Sequence, residues 1–259
     1  MKKITSLLLA AGLLSSLSAI AAENTLRFGL EAEYPPFESR NAAGQLEGFD
    51  IDLGKAVCQA AKLKCEWVET SFDALIPGLM AKKFDAINSA MNITEQREKS
   101  IDFTHPIYRI PTQLVGKAGS GLDATAASLK GKTIGVLQGS IQEVYAKEHW
   151  EKQGVTVVSY KDQNMAWADL LNGRIDASLV MSAAGQAGFL SKPQGKGFGF
   201  IGKPVSDDKI LGSGIGFGLR KGDTRTKARL DAAISKLQSD GTVTTLAKKY
   251  FPGIDVSVK

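Results

Sequence analysis

The stretch INSAMNITEQRE, residues 87–98, places a guanidinium where a helix dipole disfavours one. Thr94 has the side chain and the position of an N-cap, so Arg97 falls in the first helical turn, against the positive end of the dipole. A cation there loses about 0.3 to 1 kcal/mol. A carboxylate gripped by both guanidinium nitrogens, with helix N–H groups beside it, more than offsets that loss, so the chemistry predicted is anion capture. The plainer reading is a solvated arginine on a short surface helix.

Upstream, GLEAEYPPFESR offers the opposite charge. Glu31 and Glu33 share a face if the preceding strand continues, and Tyr34 leads into two prolines that must be extended or turning. A carboxylate and an aromatic would then line one wall of a cleft; otherwise this is a solvated acidic strand end. Phe72 opens a helix after a strand, a place for core or for ligand wall. In VLQGSIQE, Ser140 and Glu143 have the spacing of a capping box, which alone is structural. Two such helix starts facing each other make an anion site at the carboxyl ends of an α/β sheet. Hydrolytic and nucleotide motifs (G-x-S-x-G, H-E-x-x-H, the P-loop lysine) are absent, and no cofactor is implied. The glycines of GSGIGFG and KGFGFIGK miss the G-x-G-x-x-G spacing and read as close-packed strands.

The elements that must carry these residues alternate. TLRFGLE is a predicted strand, GFDIDLGKAVCQAAKL a helix, CEWVE a strand, and SFDALIPGLMAKK a helix capped by Ser71 with Pro77 as a flaw inside it. FDAIN is a strand, the short Thr94 helix follows, and IDFTHPIYRIPTQLVGK is mostly extended. AGSGLDATAASLKGK has the composition of a loop between two units. The alternation then restarts with TIGVLQG, SIQEVYAKEHWEKQ, VTVVSY, NMAWADLLNGR, DASLV, SAAGQAGFLSK and FGFIG, and the tail supplies a strand and two helices. This pattern predicts α/β architecture in two similar lobes. If the tail returns to the first lobe, strands near Arg109–Gln113 and Lys209–Gly212 join the two and form a hinge.

Residues 1–22, MKKITSLLLAAGLLSSLSAIAA, have the layout of a cleaved secretory signal and are too interrupted for a membrane span. The formal charge of +5, two of it in this leader, is too mild and too scattered to point to nucleic acid. Cys58 and Cys65 are close in an exported chain, which favours a local disulfide, stitching a helix end to the next strand, over free thiols. With His105 and His149 remote from them, no metal site is expected.

YPPF, GFDIDLGKAVC, FDALIPGLMAKKFDAI, NITEQR, GVLQGS, GRIDA and DGTVTTLAKKYF together resemble the periplasmic solute-binding proteins that feed ABC importers of polar amino acids, in particular the lysine/arginine/ornithine- and histidine-binding group. The resemblance covers essentially all of the mature chain. It implies a two-lobed type II periplasmic binding protein fold, each lobe a mixed sheet flanked by helices, with residues 23–110 and 212–259 in lobe 1 and 111–211 in lobe 2. It assigns Glu31 to a basic side chain, Tyr34 and Phe72 to sandwiching its aliphatic part, and Ser89 to a polar contact. Arg97 takes the ligand carboxylate, helped by backbone around Ala90 and by the helix start at Ser140 and Ile141; Leu137 and Gln142 are walls of the second lobe, and Cys58 and Cys65 match the family's disulfide. The implied partner is an inner-membrane permease, and the implied state a periplasmic monomer.

Three positions depart from that pattern. Ala90 and Asn92 stand where basic amino-acid binders usually have serines, and Met181 stands where they place the aspartate that holds the α-ammonium. An ammonium left without a partner there costs on the order of 1 to 3 kcal/mol or more. Either Asn92 and backbone carbonyls suffice, or the ligand's α-nitrogen is substituted, as in an opine or N-acylated amino acid. The same fold hosts cyclohexadienyl and arogenate dehydratases, but such chemistry needs a positioned proton donor, which Met181 cannot be. A receptor that signals through a separate membrane partner is the third class, since the chain ends at DVSVK without a sensor domain.

Overall fold

The computed structural model describes residues 24–258; the predicted leader lies outside them. The strands are β1 (Thr25–Leu30), β2 (Ser39–Arg40), β3 (Leu46–Glu47), β4 (Lys64–Glu69), β5 (Ala86–Ile87), β6 (Ile101–Phe103), β7 (Thr112–Lys117), β8 (Thr133–Leu137), β9 (Thr156–Tyr160), β10 (Ala177–Met181), β11 (Phe198–Val205) and β12 (Gly218–Arg220). They build two five-stranded sheets, ordered β4-β1-β5-β12-β6 and β11-β7-β10-β8-β9, and a small hairpin of β2 and β3. Both sheets are mixed. In the first, β1 runs parallel to β4 and β5 while β12 is antiparallel to β5 and β6. In the second, β8 runs parallel to β9 and β10, and β7 is antiparallel to β10 and β11.

Helices pack on both. Phe49–Ala60 buries Phe49, Leu53, Val57 and Cys58 at helical spacing, against helix Thr224–Ser239, whose own stripe is Leu230, Ala233, Ile234 and Leu237. Its entry is fixed by Gly48 at φ +129, where a Cβ would fall 2.2 Å from the Phe37 carbonyl oxygen. Glycine alone lets the two backbones meet and sets Phe49 and Asp50 inward. Phe37, Phe49, Tyr108 and Phe251 form an aromatic cluster there, with Phe49 and Phe251 centroids 4.6 Å apart. The disulfide Cys58–Cys65 joins the end of that helix to β4, Cα atoms 6.0 Å apart, as the sequence predicts.

The tail does return: β12 inserts between β5 and β6, so the chain crosses between the sheets twice. The crossings lie side by side, the Ile215 N–H donating to the Tyr108 carbonyl and the Ile107 N–H to the Ile215 carbonyl, each at 2.7 Å. The second crossing differs from expectation. Lys209–Gly212 is no strand: Asp207 caps a helical turn, Asp208–Leu211, and the extended part follows it. GSGIGFG is close-packed, since a Cβ on Gly212 would lie 2.0 Å from the Ile93 carbonyl oxygen, but regular pairing starts only at Gly218.

Three further readings are corrected. Residues 118–132 link β7 to β8 within one sheet and do not separate two units. The segment after Ser71 is a 3-10 turn, Phe72–Ala74, running into helix Leu75–Met80, and the Ser71 hydroxyl bonds Asp73 at 2.6 Å instead of capping it. β1 stops at Leu30, so Glu31 and Glu33 do not share a face: Glu31 is buried and Glu33 is exposed.

Candidate binding cleft

Four strand ends deliver the candidate residues. β1 hands on to Glu31, β5 to Asn88–Asn92, β8 to Gln138–Ser140, and β10 ends on Met181. The predicted caps at Thr94 and Ser140 form, unlike the one at Ser71. Thr94 Oγ1 accepts from the Arg97 N–H at 3.3 Å, and Ser140 Oγ accepts from the Glu143 N–H at 3.1 Å while Glu143 Oε2 accepts from the Gly139 N–H at 2.6 Å. The two helix starts meet across the cleft, where Arg97 Nη2 donates to the Gly139 carbonyl and Arg97, Ser140 and Ile141 line one cavity.

One cavity collects Tyr34, Phe72, Ala90, Asn92 and Arg97 from the first sheet's side and Leu137, Ser140, Ile141, Gln142 and Met181 from the second's. Arg97 is its one charged lining residue. Its guanidinium donates from Nη1 to the Asn92 carbonyl at 2.8 Å and from Nη2 to the Gly139 carbonyl at 3.1 Å, and lies 5.6 Å over the Phe72 ring. Desolvation pulls its pKa down to about 10, which leaves it cationic at neutral pH. Among the described residues no carboxylate pairs with it.

Glu31 and Ser89 sit outside that lining. Glu31 is 3% exposed, and neither carboxyl oxygen meets a donor in good hydrogen-bond geometry, the Glu33 N–H being the one near enough to oppose its shift. Burial, then the charges of Asp162 and Glu33, pushes its pKa up to about 8. The Ser89 hydroxyl is engaged on both sides, accepting from the Glu31 N–H at 3.0 Å and donating to Glu38 Oε1 at 2.7 Å. Asn92 donates through Nδ2 to the Leu211 carbonyl at 3.1 Å, leaving a buried Oδ1 without a partner. Gln142 Nε2 is bonded to Thr112 Oγ1 at 2.9 Å.

Sequence reasoning overlooks Glu38, Asp50 and Tyr108, all buried next to the cleft. Asp50 Oδ2 accepts from the Ala90 N–H at 2.6 Å, holding Ala90 at φ 45, a left-handed conformation unfavourable for a residue with a Cβ. The only local hint is an acid flanked by core residues, Phe49 and Ile51, at a helix start. Contacts also bridge the two sheets' sides directly: the Tyr34 hydroxyl accepts from the Met181 N–H, Gln138 Nε2 donates to Asp73 Oδ2 at 3.3 Å, and Asn164 Nδ2 donates to Glu33.

Residues 26–253 match the model of bacterial extracellular solute-binding proteins, family 3. The chain is 46% identical over 251 residues, 96% of each chain, to the lysine/arginine/ornithine-binding periplasmic protein of Escherichia coli (strain K12). It is 46% identical over 253 residues, 97% of each chain, to the histidine-binding periplasmic protein of Salmonella typhimurium. Its fold matches an ancestral arginine-binding protein bound to arginine with a TM-score of 0.81, at 31% identity, covering 88% of this chain and 98% of that one. These relatives are binding proteins and not enzymes, and the two curated ones are periplasmic.

Proposed function

Because the chain belongs to the bacterial extracellular solute-binding proteins of family 3, we propose that it captures a basic amino acid, arginine, ornithine or lysine, between two closing lobes and delivers it to an ABC importer. Residues 23–110 and 212–259 act as one lobe, 111–211 as the other, and the paired crossings at Tyr108 and Ile215 as the hinge. Arg97 takes the ligand carboxylate with the backbone around Ala90 and the helix start at Ser140 and Ile141. Glu31 takes the cationic end, and Tyr34 and Phe72 hold the aliphatic part. The unpartnered Asn92 Oδ1 accepts from the α-ammonium. Ser89 supports Glu31 from behind, and Leu137 and Gln142 wall the far side. The leader is cleaved on export, and the mature chain works as a periplasmic monomer with a membrane permease.

The observation that carries this reading is Glu31: a buried carboxylate, both oxygens unpartnered and pushed up toward neutrality, beside a cavity whose charged lining residue is a guanidinium. Removing such a charge from water is costly unless a cation meets it. A second reading, an opine or other N-substituted amino acid, is favoured by Met181, which brings an apolar wall into the cavity. Calorimetry with arginine, ornithine, lysine, histidine and octopine tests both. Tight binding of a free basic amino acid supports the first reading and removes the reason for the second; binding of octopine alone reverses that; binding of none of the five rejects both.

A further inference from the structure

Behind Glu31 lies an acidic pair to which the ligand reading gives no role. Glu38 and Asp50 are each 1% exposed. A hydrogen-bond chain reaches them from the cleft: the Glu31 N–H donates to Ser89 Oγ at 3.0 Å, and the Ser89 hydroxyl donates to Glu38 Oε1 at 2.7 Å. The consecutive residues Ser89 and Ala90 bond Glu38 and Asp50 in turn, and the Asp50 N–H donates to the carbonyl of Phe37, next to Glu38, at 2.9 Å, so the two acids lie side by side and each raises the cost of ionising the other. Asp50 is well supplied with donors. Its Oδ1 accepts from the Tyr108 hydroxyl at 2.8 Å, its Oδ2 from the Ala90 N–H at 2.6 Å, and it occupies the first turn of helix Phe49–Ala60, where the dipole favours an anion. Glu38 Oε2, by contrast, has no partner.

Two adjacent buried carboxyls do not both ionise without a cation between them. Here the ionisable neighbours are Glu31, Tyr34 and Tyr108, and no lysine or arginine among the described residues bonds either acid. The donors keep Asp50 charged, so the proton stays on Glu38. We infer that Glu38 and Asp50 together hold one proton and one buried negative charge, and that this charge, added to that of Glu31, makes the cleft select a cationic side chain over a neutral one of the same shape. The inference rests on the basic-ligand reading above. Asp50 carries the charge and Glu38 the proton. With glutamine at 38, Asp50 remains ionised; with asparagine at 50, burial, the main cause of the raised Glu38 pKa, keeps Glu38 protonated and the charge is lost. The two single variants should therefore differ, a signature that simple packing lacks.

Calorimetry with arginine and with citrulline, whose ureido group copies the guanidinium without its charge, tests this on the wild type, E38Q, D50N and the double variant. E38Q is expected to keep the arginine-to-citrulline affinity ratio within about threefold, and D50N and the double variant to lower it at least about tenfold while still binding citrulline. An unchanged ratio in D50N, or a fall in E38Q as large as in D50N, overturns the inference. Infrared spectroscopy supplies a second measurement should D50N or the double variant fail to fold. With arginine bound, which forces Glu31 to ionise, the wild type should retain the carbonyl band of a protonated carboxyl at neutral pH and E38Q should lose it. A band missing from the wild type, or undiminished in E38Q, overturns the inference alone. Wild-type protein that binds no basic amino acid removes the ligand reading, and this inference with it.

Discussion

The Tyr34 hydroxyl accepts a hydrogen bond from the Met181 N–H at 3.3 Å, tying the loop after β1 in the first sheet to the last residue of β10 in the second. Both residues line the cavity, so the bond exists only with the two sides of the cleft together. Tyr34→Phe keeps the ring and removes the acceptor. A loss of about 0.5–1.5 kcal/mol is expected, a fall in ligand affinity of roughly two- to tenfold, read by calorimetry. Unchanged affinity would show that the bond contributes nothing to closure.

Arg97 spans a similar gap, from the Asn92 carbonyl of its own loop to the Gly139 carbonyl at the opposing helix start. A lysine has one compact ammonium and no fork. Arg97→Lys should weaken arginine binding at least about tenfold, and Arg97→Ala should remove detectable binding. The unfolding temperature should hold in both, because the side chain is not part of the core. An alanine variant that still binds within a few-fold of wild type would end the anion-capture role.

Glu31 gives the cleft a pH dependence whose sign follows from its shift. Raised to about 8, chiefly by burial, it is mostly protonated in the free protein at neutral pH, whereas a bound cation requires the carboxylate. Capture should therefore release a proton below about pH 8, and affinity should climb toward that pH by up to about tenfold per unit before levelling. Titrations in buffers of different ionisation heat measure the proton directly. Stability of the free protein has the opposite trend. An acid raised from 4.5 binds its proton more tightly when folded, so its contribution is complete below pH 4.5 and is lost as pH rises to about 8. Glu31→Gln should flatten that decline; a wild type that gains thermal stability across the window, with the variant unchanged, would contradict the assignment.

The helix start that positions Arg97 is legible in the sequence because it is local: Thr94, three residues earlier, caps it, and the bond forms as expected. The cap at Ser140 is legible for the same reason, although Glu143, spaced for a capping box, bonds the Gly139 N–H instead of the Ser140 N–H. The Glu38–Asp50 contact is not, since the two meet only when the hairpin of β2 and β3 folds back, and neither residue's neighbours report the other. Glu31 and Glu33 fail through an alternation rule extended too far. β4 ends at Glu69 and β5 at Ile87, so no ladder continues beyond Leu30 to hold the next residues extended. The helical second crossing did carry a signal, the cap in SDDKIL, where Asp207 Oδ1 accepts from the Ile210 N–H at 3.1 Å. An expected strand outweighed it.

The disulfide is part of the core behind β4 and not of the cavity wall. Cys58 and Cys65 close a loop of sequence separation 7, and neither lines the cavity. Loop-closure entropy gives about 2–3 kcal/mol for so short a loop. Replacing both with serine should lower the unfolding temperature by roughly 4–12 °C and leave ligand affinity within about twofold. A large loss of affinity at unchanged stability would mean that the helix end positions the cleft more directly than its contacts indicate.

Met181 decides between the two ligand readings. Its backbone closes against Tyr34 and its side chain lines the same cavity as Asn92, 4% exposed. Met181→Asp puts a carboxylate into that apolar wall. Without ligand the buried carboxylate lacks its ammonium partner, and the cavity's one cation, Arg97, is already bonded to two carbonyls, so the variant's unfolding temperature should fall, by an amount equivalent to about 1–3 kcal/mol. With a free α-ammonium present the charge is paired, and affinity for arginine or ornithine should rise about tenfold or more, because a charge-assisted bond replaces a neutral contact. Bound arginine should then recover more unfolding temperature in the variant than in the wild type. If destabilisation appears without any gain in affinity, Met181 does not face the α-nitrogen and lies off the ligand-selecting wall; the unpartnered Asn92 Oδ1 then remains the acceptor assigned to it.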